Sequence, residues 1–134
     1  MRLGRASSYA IFATAHLAQH ANGKPIQGRD IAEACGVPAG HLLKILQQLV
    51  RAQILSSERG PAGGFLLRKG ARDITLLEIV EAIDGPISGD LQLRKVADEK
   101  EPTRRRLELT CRQVASHTRD VLRKTDIAQL AGLR

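Results

Sequence analysis

The chain has 134 residues, 43% of them hydrophobic and 26% charged, with a formal net charge of +7. That composition suits one buried core rather than a disordered tail, and no apolar run reaches the roughly 18 residues of a membrane span. Two cysteines, Cys35 and Cys111, make neither a disulfide framework nor a zinc ribbon, so a reducing cytoplasm is the expected compartment.

Arg2, Arg5 and the Ala13-Thr14-Ala15 triplet imitate a secretory leader, but two serines and a tyrosine interrupt the apolar core such a leader needs. Ser7-Ser8 read better as the cap of a first helix from about Tyr9 to His20. Ile11, Phe12, Ala15 and Leu17 give it an apolar face, and Asn22-Gly23 ends it. Asp30 to Cys35 makes a short second helix, Gly36 suits the left-handed residue that stops it, and Pro38 fits the first turn of a third helix running to about Ala52. Two helices joined by such a turn form a helix-turn-helix. In the later helix Leu42, Ile45, Leu46 and Leu49 recur at helical spacing and point inward, leaving His41, Lys44, Gln47, Gln48 and Arg51 outside. Those long polar and basic side chains suit base edges and phosphates in a major groove, although an ordinary solvated face has the same composition.

The stretch SSERGPAGGFLL follows. Ile54 to Ser57 reads as an outgoing strand, Arg59 to Gly63 as the turn and Gly64 to Leu67 as the return. Helix-turn-helix followed by a hairpin is the winged-helix order. An arginine at the wing tip has the reach and charge for a minor groove, and the glycines would let backbone approach phosphate. A plain hairpin with an exposed arginine is the bland reading. A nucleotide-binding loop is disfavoured, because no Lys-Ser or Lys-Thr follows the glycines and no helix begins there.

Ile74 to Ile83 reads as a helix started by a Thr75/Glu78 capping box and closed by Gly85-Pro86. Residues 87–102, with RKVADEKE and Pro102, read as an exposed connection. From about Thr103 to Lys124 a long helix carries Leu107, Cys111, Val114, Thr118 and Val121 at alternating spacings of four and three, a seam for a second helix and hence for dimerisation. Arg104-Arg105-Arg106 lie among Glu99, Glu101 and Glu108 and read as a solvated helix start.

The expected architecture is mainly α with a small β-hairpin. Residues 1–84 form a winged helix-turn-helix domain, 85–102 a connection, and 103–134 a dimerisation helix with a C-terminal cap. Residues 1–72 hold ten Lys/Arg against three acids, whereas 73–134 hold eleven of each. All the excess positive charge therefore lies in the first half of the chain, residues 1–72, an electrostatic footprint for a polyanion.

Tyr9-Ala10, Ile31-Ala32, Leu42 through Leu49, SERGPAGGFLL, ITLLEIVEAIDGP and TDIAQL at 125–130 together carry a resemblance. The chain resembles, over nearly its whole length, the winged-helix bacterial regulators typified by the iron–sulfur cluster regulator IscR, the nitric-oxide sensor NsrR and the cysteine-metabolism repressor CymR. The resemblance implies a homodimeric DNA-binding transcription factor with one helix per subunit in successive major grooves and each wing beside a minor groove. Arg59 matches the family's wing arginine. Two departures stand out. Many members hold a cluster on three cysteines, but an ungapped alignment from Gly85 to Thr125 puts Gln92, Asp98 and Arg104 at those positions, and Ser8 where relatives can supply a carboxylate. A cluster needs several thiolates. Cys35 reads instead as packing and Cys111 as seam, while His16 and His20 share a face without companions, so neither cofactor nor metal is expected. Gly40 and Leu43 also replace the serine and glutamate that read bases in IscR-type members; an outward Leu43 suits a thymine methyl, and the operator should differ accordingly.

The reading is therefore a sequence-specific, homodimeric, cluster-free DNA-binding transcriptional regulator, a repressor, with double-stranded DNA and a second copy as partners, an unidentified effector and no membrane. Arg29, His41, Leu43, Lys44, Gln47, Gln48, Arg51, Arg59, Gly60 and Gly63 are the expected DNA contacts. Cys111, beside Arg112, is the candidate redox sensor. The competing reading is a protein-interaction module that kept the fold without specific DNA binding, motivated by Gly40 and Leu43. An enzyme is not expected, since no nucleophile–base pair, paired carboxylates or cofactor loop can be assembled from the sequence.

Overall fold

In the computed structural model, which describes every residue except Val96, the helix-turn-helix is formed by α2 (Gly28–Cys35) and α3 (Ala39–Arg51). Gly36 ends α2 in the left-handed region at φ 69°, and its N–H donates to the carbonyls of Ala32 and Glu33. Leu42, Ile45, Leu46 and Leu49 drive α3 into the core, as their spacing predicts.

The first helix differs from expectation. α1 spans Arg5–Gln19, so Ser7 and Ser8 lie inside its first turn and cap nothing; Gly4 is the capping residue and makes no side-chain bond. The Ser8 hydroxyl donates to Gly4 O at 2.9 Å, and the buried Ser7 hydroxyl donates to the Asp84 carboxylate at 2.7 Å. The buried face is Ser7, Ala10, Ala13, Thr14, Leu17 and Ala18, whereas Phe12 is 66% exposed and Ile11 and Ala15 are half-buried. Small side chains here bring α1 close to its neighbours, so volume rather than hydrophobicity chose the inward stripe. Thr14 is buried without cost because its hydroxyl donates to Ala10 O at 2.7 Å.

β1 (Leu55–Glu58) and β2 (Gly64–Leu67) pair antiparallel with Leu55 opposite Leu67 and Glu58 opposite Gly64. A third segment joins them. Ile26 N–H donates to Phe65 O at 3.0 Å and Phe65 N–H to Ile26 O at 2.8 Å. A Cβ on Gly64, whose φ is 145°, would lie 2.3 Å from Ile26 O, and one on Gly63 would lie 2.2 Å from Glu58 O. The demand for two glycines thus arises inside the wing, from backbone closeness, and not only from an approaching ligand.

α4 (Leu76–Asp84) begins two residues later than the sequence suggests, behind a complete capping box. Glu78 N–H donates to the Thr75 hydroxyl at 3.2 Å, and Thr75 N–H to the Glu78 carboxylate at 3.0 Å. Burial pushes the Glu78 carboxyl up, but the hydrogen bond from Lys69, the Thr75 N–H, the Lys69 charge and the Thr75 hydroxyl outweigh it and hold the group below the usual carboxylate range. A carboxyl depressed on folding contributes stability above its unfolded pKa and loses it as pH falls through the lower folded value. Urea melts should therefore show Glu78→Gln less stable than wild type at neutral pH, with the gap closing only below about pH 4, the ordinary glutamate range.

α5 (Glu101–Lys124) starts earlier than expected and takes Pro102 into its first turn, where a missing N–H costs nothing, so Pro102 is not part of the connection. Leu122 packs with Leu77 and Val80 of α4. Arg119 pairs with Glu81, which also accepts Ile87 N–H at 2.8 Å and so ties α4, the start of the connection and α5 together. Val96, within the expected connection, lies outside the described residues. Finally α6 (Ile127–Leu130), with its own Asp126/Gln129 capping box, returns to the body. Ile127 N–H donates to Ile74 O, Leu76 N–H to Thr125 O, and Ile127 is fully buried in the core shared with α1. No helix among the described residues is long and apolar enough to cross a membrane.

Candidate nucleic-acid interface

With its four aliphatic residues buried, α3 turns the opposite face to solvent. His41, Leu43, Lys44, Gln47 and Arg51 are exposed there and Gln48 is half-buried. The His41 ring lies edge-on to Tyr9 of α1, centroids 5.9 Å apart, which fixes it at the α1 side of this face. At the wing, Arg59 and Gly60 are exposed, and Gly60 has φ 100° in open space. Gly63, expected as a DNA contact, is buried in the hairpin, which offers it no surface to present.

The wing and the helix-turn-helix are joined by a residue that the sequence reading missed. Gln27, at the start of α2, donates from Nε2 to Pro61 O in the wing turn at 2.9 Å, and its Oε1 accepts from Arg29 at 3.4 Å. Arg29 is thereby held beside the wing rather than standing alone on α2. The only cue in the sequence was a long amide immediately before a helix, too common a feature to single out. Two shallow grooves result. One, between α3 and the wing, is lined by Gln47, Val50, Arg51, Ser57 and Phe65; the other, between the starts of α2 and α3, by Gln27, Gly28, Arg29, Ala39, Gly40 and Leu43. Neither lining contains an acid. Leu43, 45% exposed, and the open space at Gly40 make the second groove apolar at its centre.

Among the described residues the ion pairs are Lys69–Glu78, Arg104–Glu108, Arg105–Glu101, Arg119–Glu81 and Arg123–Asp120. All use cations from residue 69 onward, so Arg29, Lys44, Arg51 and Arg59 enter no ion pair among the described residues. An unpaired, exposed cationic face on a rigid helix and a hairpin is suited to a polyanion.

The residues present do not fit an iron centre. Gln92 and Asp98 are exposed, and Arg104 bonds Glu108 at 3.0 Å and Arg94 O at 3.4 Å. Ser8 is committed to Gly4 O. Cys35 is half-buried against the core, where burial pushes its thiol pKa up, the opposite of what a thiolate ligand needs. Cys111 is half-buried beside Ile87 and Gly89. The His16 and His20 rings are 4.4 Å apart, and burial followed by the neighbouring His20 lowers the His16 pKa. Among the described residues no three His, Cys, Asp or Glu side chains come together as a metal site.

Comparison with known proteins agrees with the winged helix-turn-helix arrangement. The sequence profile of the Rrf2 family, described as iron-dependent transcriptional regulators, matches residues 3–132. A Mycobacterium tuberculosis protein provisionally named HTH-type transcriptional regulator Rv1287 is 31% identical over 134 residues, covering 98% of this chain and 82% of that protein. IscR of Photorhabdus laumondii is 36% identical over 84 residues, 63% of this chain and 51% of that protein. Among solved structures, CymR of B. subtilis, the global cysteine regulator, superposes with a TM-score of 0.77 at 25% identity, covering 98% of this chain and 97% of that one.

Proposed function

The chain belongs to the Rrf2 family of transcriptional regulators, and from that premise we propose that it is a homodimeric, cluster-free repressor reading its operator through α3 and the wing. It is a DNA-binding regulator; the proposal concerns how it binds and in what form. The observation that supports it is that Arg29, Lys44, Arg51 and Arg59 are all exposed and enter no ion pair among the described residues, with Gln27 fastening the wing to the helix-turn-helix.

In this arrangement α3 enters a major groove, where Gln47 and Gln48 offer amides to base edges and Lys44 and Arg51 reach phosphates. Leu43 and the groove around Gly40 accept a thymine methyl, the one apolar group a major groove presents. Arg59 enters the adjacent minor groove and Gly60 allows backbone to approach phosphate. Residues 1–84 act as the reading unit and α5 joins two copies, so that two half-sites lie one turn apart. A dimer clamped on a promoter excludes polymerase, which makes repression the proposed outcome, and a duplex target fits the expected cytoplasmic location.

The test is binding to a duplex selected by the purified protein from genomic fragments. Arg59→Ala should weaken binding by about 1–3 kcal/mol, and Lys44→Ala should weaken it while reducing the slope of log affinity against log salt by about 1. Unchanged affinity in both variants would refute the docking arrangement.

A further inference from the structure

A separate cleft of about 350 Å³ opens between the end of α1, the loop before α2 and strand β2. Leu17, Ile26, Phe65 and Leu67 supply apolar wall, and His20, Lys24 and Lys69 also line it; no carboxylate side chain does. Lys69 is occupied by Glu78, whereas the exposed Lys24 enters no ion pair among the described residues. A cleft of this size with an apolar interior and an available ammonium group fits a small amphiphile with a negative head. Its position gives it a route to the reading face. Phe65 lines this cleft and also the groove beside Gln47 and Arg51, and its backbone exchanges both hydrogen bonds with Ile26, one residue before the Gln27 that holds the wing tip. Its ring also packs where Gly28 has no side chain, with a Cβ there only 3.3 Å from Phe65 Cε2. Little slack separates the cleft from the start of α2.

We propose that this cleft is an effector site for a free medium-chain carboxylate, the aliphatic chain against Phe65 and Leu67 and the carboxylate on Lys24. Bound there, the ligand shifts the Ile26–Phe65 pair and with it the wing, changing operator affinity. The binding step stands on the cleft alone; the regulatory step rests on the DNA-binding arrangement proposed above.

Sodium octanoate titrated into the full-length chain and followed by backbone amide NMR should give saturable shifts at Gly23, Lys24, Ile26 and Leu66. Octanol, with the same chain and no charge, and the variant Lys24→Glu should each bind at least about tenfold more weakly, the loss of one charge-assisted contact. Saturating octanoate should change wild-type affinity for the selected duplex and leave unchanged that of Ala21→Trp, which fills the cleft from an exposed position. Absence of saturable shifts, equal binding of octanol, or full binding by Lys24→Glu would overturn the site. Site binding with no change in DNA affinity would overturn the regulatory step. Failure of the ligand-free protein to bind any selected duplex would instead refute the operator reading, and the NMR titration would still decide the cleft.

Discussion

Gly64→Val should be the most damaging single change in the wing, lowering stability by about 3 kcal/mol or more and removing specific operator binding. Three effects add. A φ of 145° is strained for any side chain, and worse for a β-branched one. The new Cβ must move away from Ile26 O, which it would otherwise approach to 2.3 Å. That movement breaks the two Ile26–Phe65 hydrogen bonds, each worth about 1 kcal/mol. For a domain whose total stability is about 5–15 kcal/mol the loss is large. Because the same pair anchors the segment leading to Gln27, the wing should also lose its position relative to α3, which a stability effect alone would not cause. Gly23→Ala is the control. Gly23 has φ 79° but nothing within 4 Å of its Cβ, so it should cost only about 1 kcal/mol and leave DNA affinity intact at temperatures where the protein is folded. Thermal melts and duplex titrations of the two variants separate the contributions; equal losses in both would show that φ alone, and not the close approach of Ile26, sets the requirement at 64.

That requirement shows where sequence reading succeeded and where it stopped. Local signals were legible. The 3–4 spacing of Leu42, Ile45, Leu46 and Leu49, the left-handed Gly36 and the Thr75/Glu78 box are each written in a few adjacent residues, and each formed as expected. The order of helix-turn-helix and glycine-rich hairpin gave the fold and the outward face of α3. Features set by distant backbone were not legible. The reason for Gly64 lies in Ile26, nearly forty residues earlier, and the Gln27–Pro61 bond joins segments whose pairing no local pattern announces. α1 misled because Phe12 looks like core, whereas close helix packing selected Ala10, Ala13 and Thr14. The Asp126/Gln129 box repeats the Thr75/Glu78 pattern in a form the reading passed over, and it pins α6 back beside Ile74.

The long helix bears the second large prediction. The expected seam divides in the structure. Cys111 and Thr118 are half-buried, whereas Leu107, Val114 and Val121, seven residues apart, are 45%, 60% and 65% exposed. Ala115 and Leu122, one residue further round, are the positions buried within the chain. α5 therefore has two adjacent apolar stripes, one used internally and one facing solvent, and the outer stripe repeats at the heptad interval that suits a second helix. The double variant Val114→Asp/Val121→Asp should be monomeric by sedimentation equilibrium with unchanged far-ultraviolet circular dichroism, because neither residue supports the chain's own core. Its operator affinity should fall by about 10²–10⁴, the effective-concentration advantage lost when two half-sites are no longer bound by linked subunits. Leu109→Asp provides the matched control, since Leu109 is also exposed but lies on the other side of the helix, away from this stripe. A dimer that survives the double variant, or dissociates equally in Leu109→Asp, would remove α5's outer stripe from the assembly. Retained dimerisation with weakened DNA binding would be equally decisive, because no loss of linkage could then account for the effect.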